Sequence, residues 1–340
     1  MKDIYILTDY KNYFGSNYDS EPYRSGFNHK NLIKLFHKNG YNATIIKVVD
    51  VLEAQIDWRG KFVLYTSNEE PGYEYKSFIE DVVLFLKEKG AVLLPKYELL
   101  RANNNKSFME LYKVAILEGT EFLQARVYGC LEDLLSQIDK ITYPIVFKLS
   151  GGSMSSGVAL AKNKAELLDL VKKNAKTSSL KLRVKEMIRH RKYLGYVKNS
   201  YYQKKFILQP YIPNLENDWK VLIFGEKVYI LRRGVRKNDF RASGSHVGYK
   251  AGSNSGFPID HLDRLIELKN KIGLPNISID YAFDGEKGYI IEFQGIYFGL
   301  STHNYSDDYY EKVDGKWEIK ANTLSKDELF VYSVIHHLGE

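Results

Sequence analysis

Asp280, Glu292 and Gln294 are the residues of this chain whose types and spacing suit chemistry most directly. They lie in DYAFDGEKGYIIEFQG, residues 280–295, where apolar and aromatic residues alternate on both sides of Asp284-Gly285, a strong short-range signal for a β-hairpin. Side chains repeat every second residue along a strand, so Glu292 and Gln294 project from one face as oxygen donors that suit a hard cation such as Mg²⁺. Asp280 joins them in only one register. A three-residue loop, Gly285 to Lys287, sets Asp280 opposite Glu292 on that face, whereas a two-residue loop turns it to the other. At this point an ordinary hairpin with its polar side chains in water is an equal alternative.

The elements that must position these residues belong to a globular chain. Its 340 residues, 44% hydrophobic and 27% charged, leave room for two or three domains and a sizeable core. The single cysteine, Cys130, excludes an intramolecular disulfide framework and a cysteine-rich zinc site, and points to a reducing intracellular compartment. The start, MKDIYILTDY, is too short and too polar for a secretory signal, and no run approaches the ~18 apolar residues that span a membrane, so the cytoplasm is the expected location. Residues 2–8, 42–49 and 61–67 read as short buried strands, and helical patterns fit 28–39 and 76–89, the second ending at Gly90. This alternation predicts a small parallel sheet with helices on its faces over residues 1 to about 95. The loop from Asp9 to Arg24 then leaves the first strand at its carboxyl end, where open α/β sheets bind ligands; a bland surface loop is the alternative.

Two further stretches carry candidate phosphate contacts. In YPIVFKLSGGSMSSGVALAKN a buried strand ends in Lys148, a glycine and serine loop runs from Ser150 to Gly157, and a second strand begins at Val158. Flexible backbone N–H groups and serine hydroxyls beside a lysine suit phosphate, although the spacing is not a Walker A motif and a strand rather than a helix follows. In FILQPYIPNLENDWKVLIFGEKVYILRRGVRKNDFRAS a short strand ends at Gln209-Pro210 and two strands pair around Gly225-Glu226. Arg232, Arg233, Arg236 and Lys237 precede Asn238-Asp239-Phe240-Arg241, and guanidinium forks match polyphosphate oxygens; a solvated edge strand is the bland alternative. No Ser-His-Asp arrangement and no GxSxG is present, and His246 is the one histidine near these motifs.

Charge is concentrated in one place. Residues 172–205 hold twelve lysines and arginines against one acid, Glu186, while the whole chain is +7, so everything outside this segment is mildly acidic. Leu180, Val184, Met187 and Leu194 recur at roughly helical spacing, which predicts a basic amphipathic helix. Such a helix suits an anionic polymer, an anionic membrane surface or nucleic acid, or else it is a solvated insertion whose apolar stripe packs on its own domain.

These motifs, in this order from about Asn103 to Phe298, resemble the ATP-grasp superfamily, in particular the carboxylate-amine ligases of the ribosomal S6 glutamate ligase and glutathione synthetase kind. The resemblance implies an α/β chain with an α+β ATP-grasp module: a small parallel-sheet domain over 1–95, a small lobe over 96–210 with a basic helical insertion at about 172–205, and a large lobe over 211–340 with the metal site. It implies that Lys106 and Lys148 hold ATP phosphates, and that the loop from Gly151 to Gly157, with Ser153, Ser155, Ser156 and Gly157, covers them. Gln209, Pro210, Tyr211 and Ile212 fall on the hinge strand that pairs with adenine, Asp218 where an acid meets the ribose, and Ser243 at a nucleotide contact. Arg233 and Arg241 would stabilise the transferring phosphoryl group or the tetrahedral intermediate, and Asp280, Glu292 and Gln294 would be the magnesium ligands. The implied cofactors are ATP and two Mg²⁺ ions, or Mn²⁺ in their place. Gln294 and Ser243 stand where the family has asparagine, and the longer amide of Gln294 still offers a carbonyl oxygen to a cation.

The implied activity is ATP-dependent amide formation through an acyl phosphate, between an amine and a small-molecule or glycan-linked carboxylate. Two other readings keep the same residues: a kinase of this fold passing phosphate to a hydroxyl, and a non-catalytic protein that holds an anionic polymer on the basic segment.

Overall fold

A computed structural model of the protein describes residues 1–15, 26–117, 122–152, 157–237, 239–242 and 244–339. The chain forms two compact units, one of Met1–Asn103 with Leu215–Glu340 and one of Asn104–Asn214. The first unit begins with β1 (Lys2–Thr8), α1 (His29–Lys38), β2 (Tyr41–Lys47), β3 (Phe62–Leu64), α2 (Glu74–Glu88), β4 (Val92–Leu94) and α3 (Tyr97–Ala102). Asn28 caps α1 by accepting from Asn31 N, and Leu32 and Phe36, four apart, form its buried face. The strands lie parallel in the order β2-β1-β3-β4, as the alternation of strand and helix requires. The sequence reading missed β4, whose three residues run straight into Pro95 and show no periodicity of their own.

The second unit contains α4 (Lys106–Ile116), β5 (Arg126–Tyr128), α5 (Leu131–Leu135), β6 (Ile145–Leu149), β7 (Val158–Ala161), α6 (Lys164–Asn174), α7 (Leu180–Lys192) and β8 (Phe206–Pro210). Its four strands are antiparallel in the order β5-β8-β6-β7. One face packs Phe147 and Phe206 against Leu131 and Leu134 of α5 and Leu167 and Val171 of α6. Each such fully buried side chain stabilises the unit by about 1.5–3 kcal/mol relative to an exposed one.

Helix α7 forms as expected, with Ser179 as its N-cap accepting from Leu182 N at 3.2 Å. The reading in which its apolar stripe packs on its own domain is overturned, because Leu180, Val184 and Met187 are all exposed. Its one buried residue is Glu186, which accepts hydrogen bonds from Tyr196 Oη (2.7 Å), Asn199 N (3.0 Å) and Arg189 Nη1 (3.1 Å). A buried carboxylate must be matched by donors, and those donors hold the inner face.

The chain returns to the first unit with β9 (Asn217–Phe224), β10 (Lys227–Gly234), β11 (Lys250–Ala251), α8 (Leu262–Ile272), β12 (Asn276–Phe283), β13 (Gly288–Gln294), α9 (Ser301–Tyr305), β14 (Asp308–Val313), β15 (Lys316–Ala321) and α10 (Lys326–Gly339). Its large sheet runs β13-β12-β9-β10-β14-β15, with β11 on β10. Val331 and Val334 of α10 pack against Ile4 and Ile6 of β1, so the two ends of the chain share one core.

The hairpin of β12 and β13 reaches the expected pairing by a different route. Its turn is Asp284 to Lys287, closed by Asp284 N donating to Lys287 O (3.3 Å), with Asp284 Oδ1 accepting from Glu286 N and Lys287 N (2.9 and 2.8 Å). Phe283 pairs with Gly288 and Tyr281 with Ile290, a register that on its own aims Asp280 away from Glu292. The expected three-residue loop is therefore not what aligns the pair. A β-bulge at Ile291 shifts the ladder by one residue, and beyond it Asp280 faces Glu292 and Ser278 faces Gln294. Burial slips with it, since Ile290 before the bulge and Phe293 after it are the buried side chains.

Gly288 opens β13 where the Tyr281 side chain crosses. A Cβ there would lie 1.6 Å from Tyr281 Oη, which meets His261 Nδ1 at 2.6 Å. Gly288→Ala is accordingly expected to destabilise the protein by about 1–3 kcal/mol in chemical denaturation, with Tyr281→Phe recovering part of the loss in the double variant. An unchanged midpoint would exclude this packing.

Candidate functional site

Pairing in the large sheet brings one set of charged side chains to one face. Asp280 lies opposite Glu292 on one side and Lys220 on the other, and Asp218 lies opposite Arg233. Positions 218 and 220 are two apart, so both project with Asp280, Glu292 and Gln294. Trp219, between them, points to the opposite face and packs edge-on against Phe257.

Arg233 is the centre of the set. Its Nε and Nη2 donate to the two oxygens of Asp218 at 2.7 and 2.8 Å, and Nη2 also lies 3.1 Å from Asp280 Oδ1. Burial alone would depress the guanidinium, but Asp280 and Asp218 outweigh it and hold Arg233 firmly charged. Burial pushes the Asp218 carboxyl up to about 6 even against the pull of Arg233, and the Asp280 charge adds to the rise. Lys220 is driven below its ordinary value by burial, with Asp280 opposing. The sequence reading missed Lys220, although its place two residues after Asp218 on a strand was a usable signal.

Among the described residues no three His, Cys, Asp or Glu side chains converge as a metal cluster. A cation at this face would be held by two carboxylates and one amide oxygen, from Asp280, Glu292 and Gln294. That donor set is entirely oxygen, is spread over two paired strands, and fits Mg²⁺ or Mn²⁺.

The second arginine stands apart from this set. Arg241 donates to Asp239 through Nε (2.9 Å) and Nη2 (2.8 Å), and that bond holds the Asp239 carboxyl down to about 2. Arg236 donates to the carbonyls of Ser245 and Gly244 and braces the turn after β10, while Arg232 donates to Asn217 Oδ1 and ties β10 to the start of β9. His246 stacks on Tyr249. Ser243 and Asn238 lie outside the described residues.

In the second unit Lys106 opens α4. Its backbone N donates to Ser150 O and its Nζ to Gly152 O, both at 2.8 Å, so the lysine is tied to the start of the glycine-rich loop. Ser150 Oγ donates to Asn105 Oδ1 and accepts from Ser107 N, locking the same corner. Gly151 and Gly157 flank the loop, and Gly157, at φ +72°, lies over Leu149; Ser153, Ser155 and Ser156 lie outside the described residues. Lys148 and Gln209 are both buried and share the face opposite Phe147, because Lys148 pairs with Ile207 and Val146 with Gln209. Burial drives the carboxyl of Glu110 up, with Lys113 and, after it, Lys148 opposing the rise. Tyr211 and Ile212 follow the last ladder pair, Pro210 with Ile145.

At the carboxyl ends of β1 and β3 the side chains of Thr8, Asp9, Ser67 and Asn68 are buried. Asp9 Oδ1 accepts from Lys11 N and Tyr13 N, which shapes the start of the Asp9–Arg24 loop; residues 16–25 lie outside the described residues. Beside these strand ends is a cavity of about 40 Å³ lined by Thr66, Pro95, Gly295, Ile296, Phe298 and Phe330, so its wall begins one residue after Gln294.

A carboxyl raised by burial favours the folded state while protonated. The Asp218 contribution to stability is therefore full below about 4 and lost as pH rises through about 6. In the metal-free protein Asp218→Asn should flatten the fall in unfolding free energy between pH 4 and 7, whatever its effect at any one pH. Denaturant curves at a series of pH values check this, and an unaltered slope would exclude it.

No family model and no curated protein matches the sequence. Solved structures do. A D-cycloserine synthetase, DcsG, is similar with a TM-score of 0.55 at 12% identity, covering 99% of each chain. A Chryseobacterium gregarium RiPP-associated ATP-grasp ligase, solved with ADP and a leader and core peptide, is similar at 0.54 and 14% identity, covering 99% of this chain and 96% of its own. The ATP-grasp ligase PsnB, complexed with a variant of its minimal precursor, Mg and ADP, is similar at 0.52 and 11% identity, covering 99% of each.

Proposed function

We propose, for a chain that has the ATP-grasp fold, that it is an ATP-dependent ligase joining a carboxylate to an amine through an acyl phosphate. The observation that carries this reading is Arg233, held by Asp218 and Asp280 on the same sheet face as Glu292 and Gln294. A cation fixed between two carboxylates, beside the oxygen donors of a metal set, is placed for charge that develops on a transferring phosphoryl group. Support comes also from the similar ligases solved with ADP.

In this reading a carboxylate oxygen of the substrate attacks the γ-phosphorus of ATP and ADP departs. The amine then attacks the acyl carbon, inorganic phosphate leaves, and the amine nitrogen loses a proton as the amide forms. No protein nucleophile is needed. Lys106 and Lys148 contribute positive charge to the triphosphate, and the loop from Gly151 to Gly157 covers it. The segment from Gln209 to Ile212 takes the adenine, and Asp218, expected at the ribose, has both oxygens on Arg233 and orients it instead. Asp280, Glu292 and Gln294 would hold Mg²⁺, which when bound neutralises phosphate oxygens. Arg233 and Lys220 face the reacting groups from their strands. Arg241, released from Asp239, meets the acyl phosphate, and the resemblance gives Ser243 a nucleotide contact.

Glu292→Gln removes one charge at constant volume and is expected to lower Mg-ATP turnover at least 100-fold, about 3 kcal/mol of barrier, with the fold intact by circular dichroism. Undiminished turnover would exclude the metal assignment. The reaction class is tested by supplying hydroxylamine in place of the amine: a hydroxamate with one ADP per product is expected. A phosphorylated hydroxyl product, with no free phosphate and no hydroxamate, would assign the chain to the kinases of this fold.

A further inference from the structure

Helix α7 is built inside out. Its inner face carries polar groups: Arg183, whose guanidinium sits over the Tyr201 ring and donates to Ser178 Oγ, then Glu186 with its ring of donors, and Arg189. Its outer face carries Leu180, Val184, Met187 and Ile188, spaced as one helical stripe, with Leu180 79% and Ile188 58% exposed. Lys181, Lys185 and Lys192 form the adjoining stripe. In the loop that follows, Leu194 and Val197 are almost wholly exposed. The one acid of the segment is turned inward and paired, so the outer surface is uniformly cationic and interleaved with aliphatic groups.

We propose that the outer face of α7, with Leu194 and Val197, docks on an anionic lipid bilayer. The charge requires an anionic partner, and the aliphatic stripe decides which one. A bilayer takes Leu, Val, Met and Ile into the acyl boundary while flanking lysines stay among the headgroups. A polynucleotide or acidic polymer would use the lysines and leave the aliphatic groups in water, since they have no ring on which a base can stack. Glu186 is the device that makes this possible: by drawing Tyr196, Asn199 and Arg189 to the inner face it fixes which side of the helix is offered outward.

The test is co-sedimentation of the full chain with vesicles of phosphatidylcholine, with and without about 30% phosphatidylserine, a fraction that sets a negative surface potential. Binding to the anionic vesicles alone is expected. The variant Lys181→Gln with Lys185→Gln and Lys192→Gln should lose on the order of 100-fold in affinity, about five-fold per cation. The variant Leu180→Ser with Val184→Ser and Ile188→Ser should lose a comparable amount, and both should keep the helix content of the parent. No binding to anionic vesicles would overturn the proposal. So would a serine variant that binds like the parent, or duplex DNA or polyglutamate that displaces the vesicles and binds the serine variant equally well. The readout involves no turnover, so it stands or falls independently of the ligase reading.

Discussion

The first unit depends on how a buried guanidinium is neutralised. Arg233 is almost wholly removed from water, and leaving it unmatched would cost several kcal/mol. Its two carboxylate partners come from different strands, Asp218 on β9 and Asp280 on β12, while Arg233 itself is on β10. The pairings that place β9 between β10 and β12 are what allow one arginine to touch both. With every group ionised, Asp218, Asp280 and Glu292 exceed Arg233 and Lys220 by one negative charge, so the cluster is matched to a further cation. Because burial leaves Asp218 titrating near 6, that excess is set by pH rather than fixed.

Much of this was legible in the sequence because it rests on two-residue periodicity. Glu292 and Gln294 had to share a face, and the paired strands around Gly225-Glu226 had to exist. What was not legible was the reason Asp280 joins them. A bulge leaves no composition signal, and Ile291 looks like any other strand residue; its effect appears only when the turn and the far end of the ladder are both known. Lys220 went unnoticed for a related cause. A lysine in an apolar strand reads as an edge residue until the strand on one side proves to place Asp280 opposite it, on the face it shares with Asp218.

The parallel sheet was readable from alternating strands and helices, apart from β4, which is too short to show a period. Helix α7 was found from its apolar spacing, but the direction of its stripe was not. Periodicity reports that a helix has two faces and is silent on which one is buried. Glu186 decided that, through Tyr196 and Asn199, partners ten and thirteen residues ahead whose role no local pattern announces.

The discontinuity of the first unit has a consequence for synthesis. Residues 104–214 form a contiguous unit that emerges from the ribosome whole, and it can fold as soon as it is made. The face of β1 bearing Ile4 and Ile6 is made well before its packing partners on α10, Val331 and Val334. Leu32 and Phe36 of α1 cover part of that face early, but the part taken by Val331 and Val334 stays open until α10 is made, an opening for aggregation. Residues 104–214 are complete before residues 215–340 exist, and the core of the first unit needs both of its stretches.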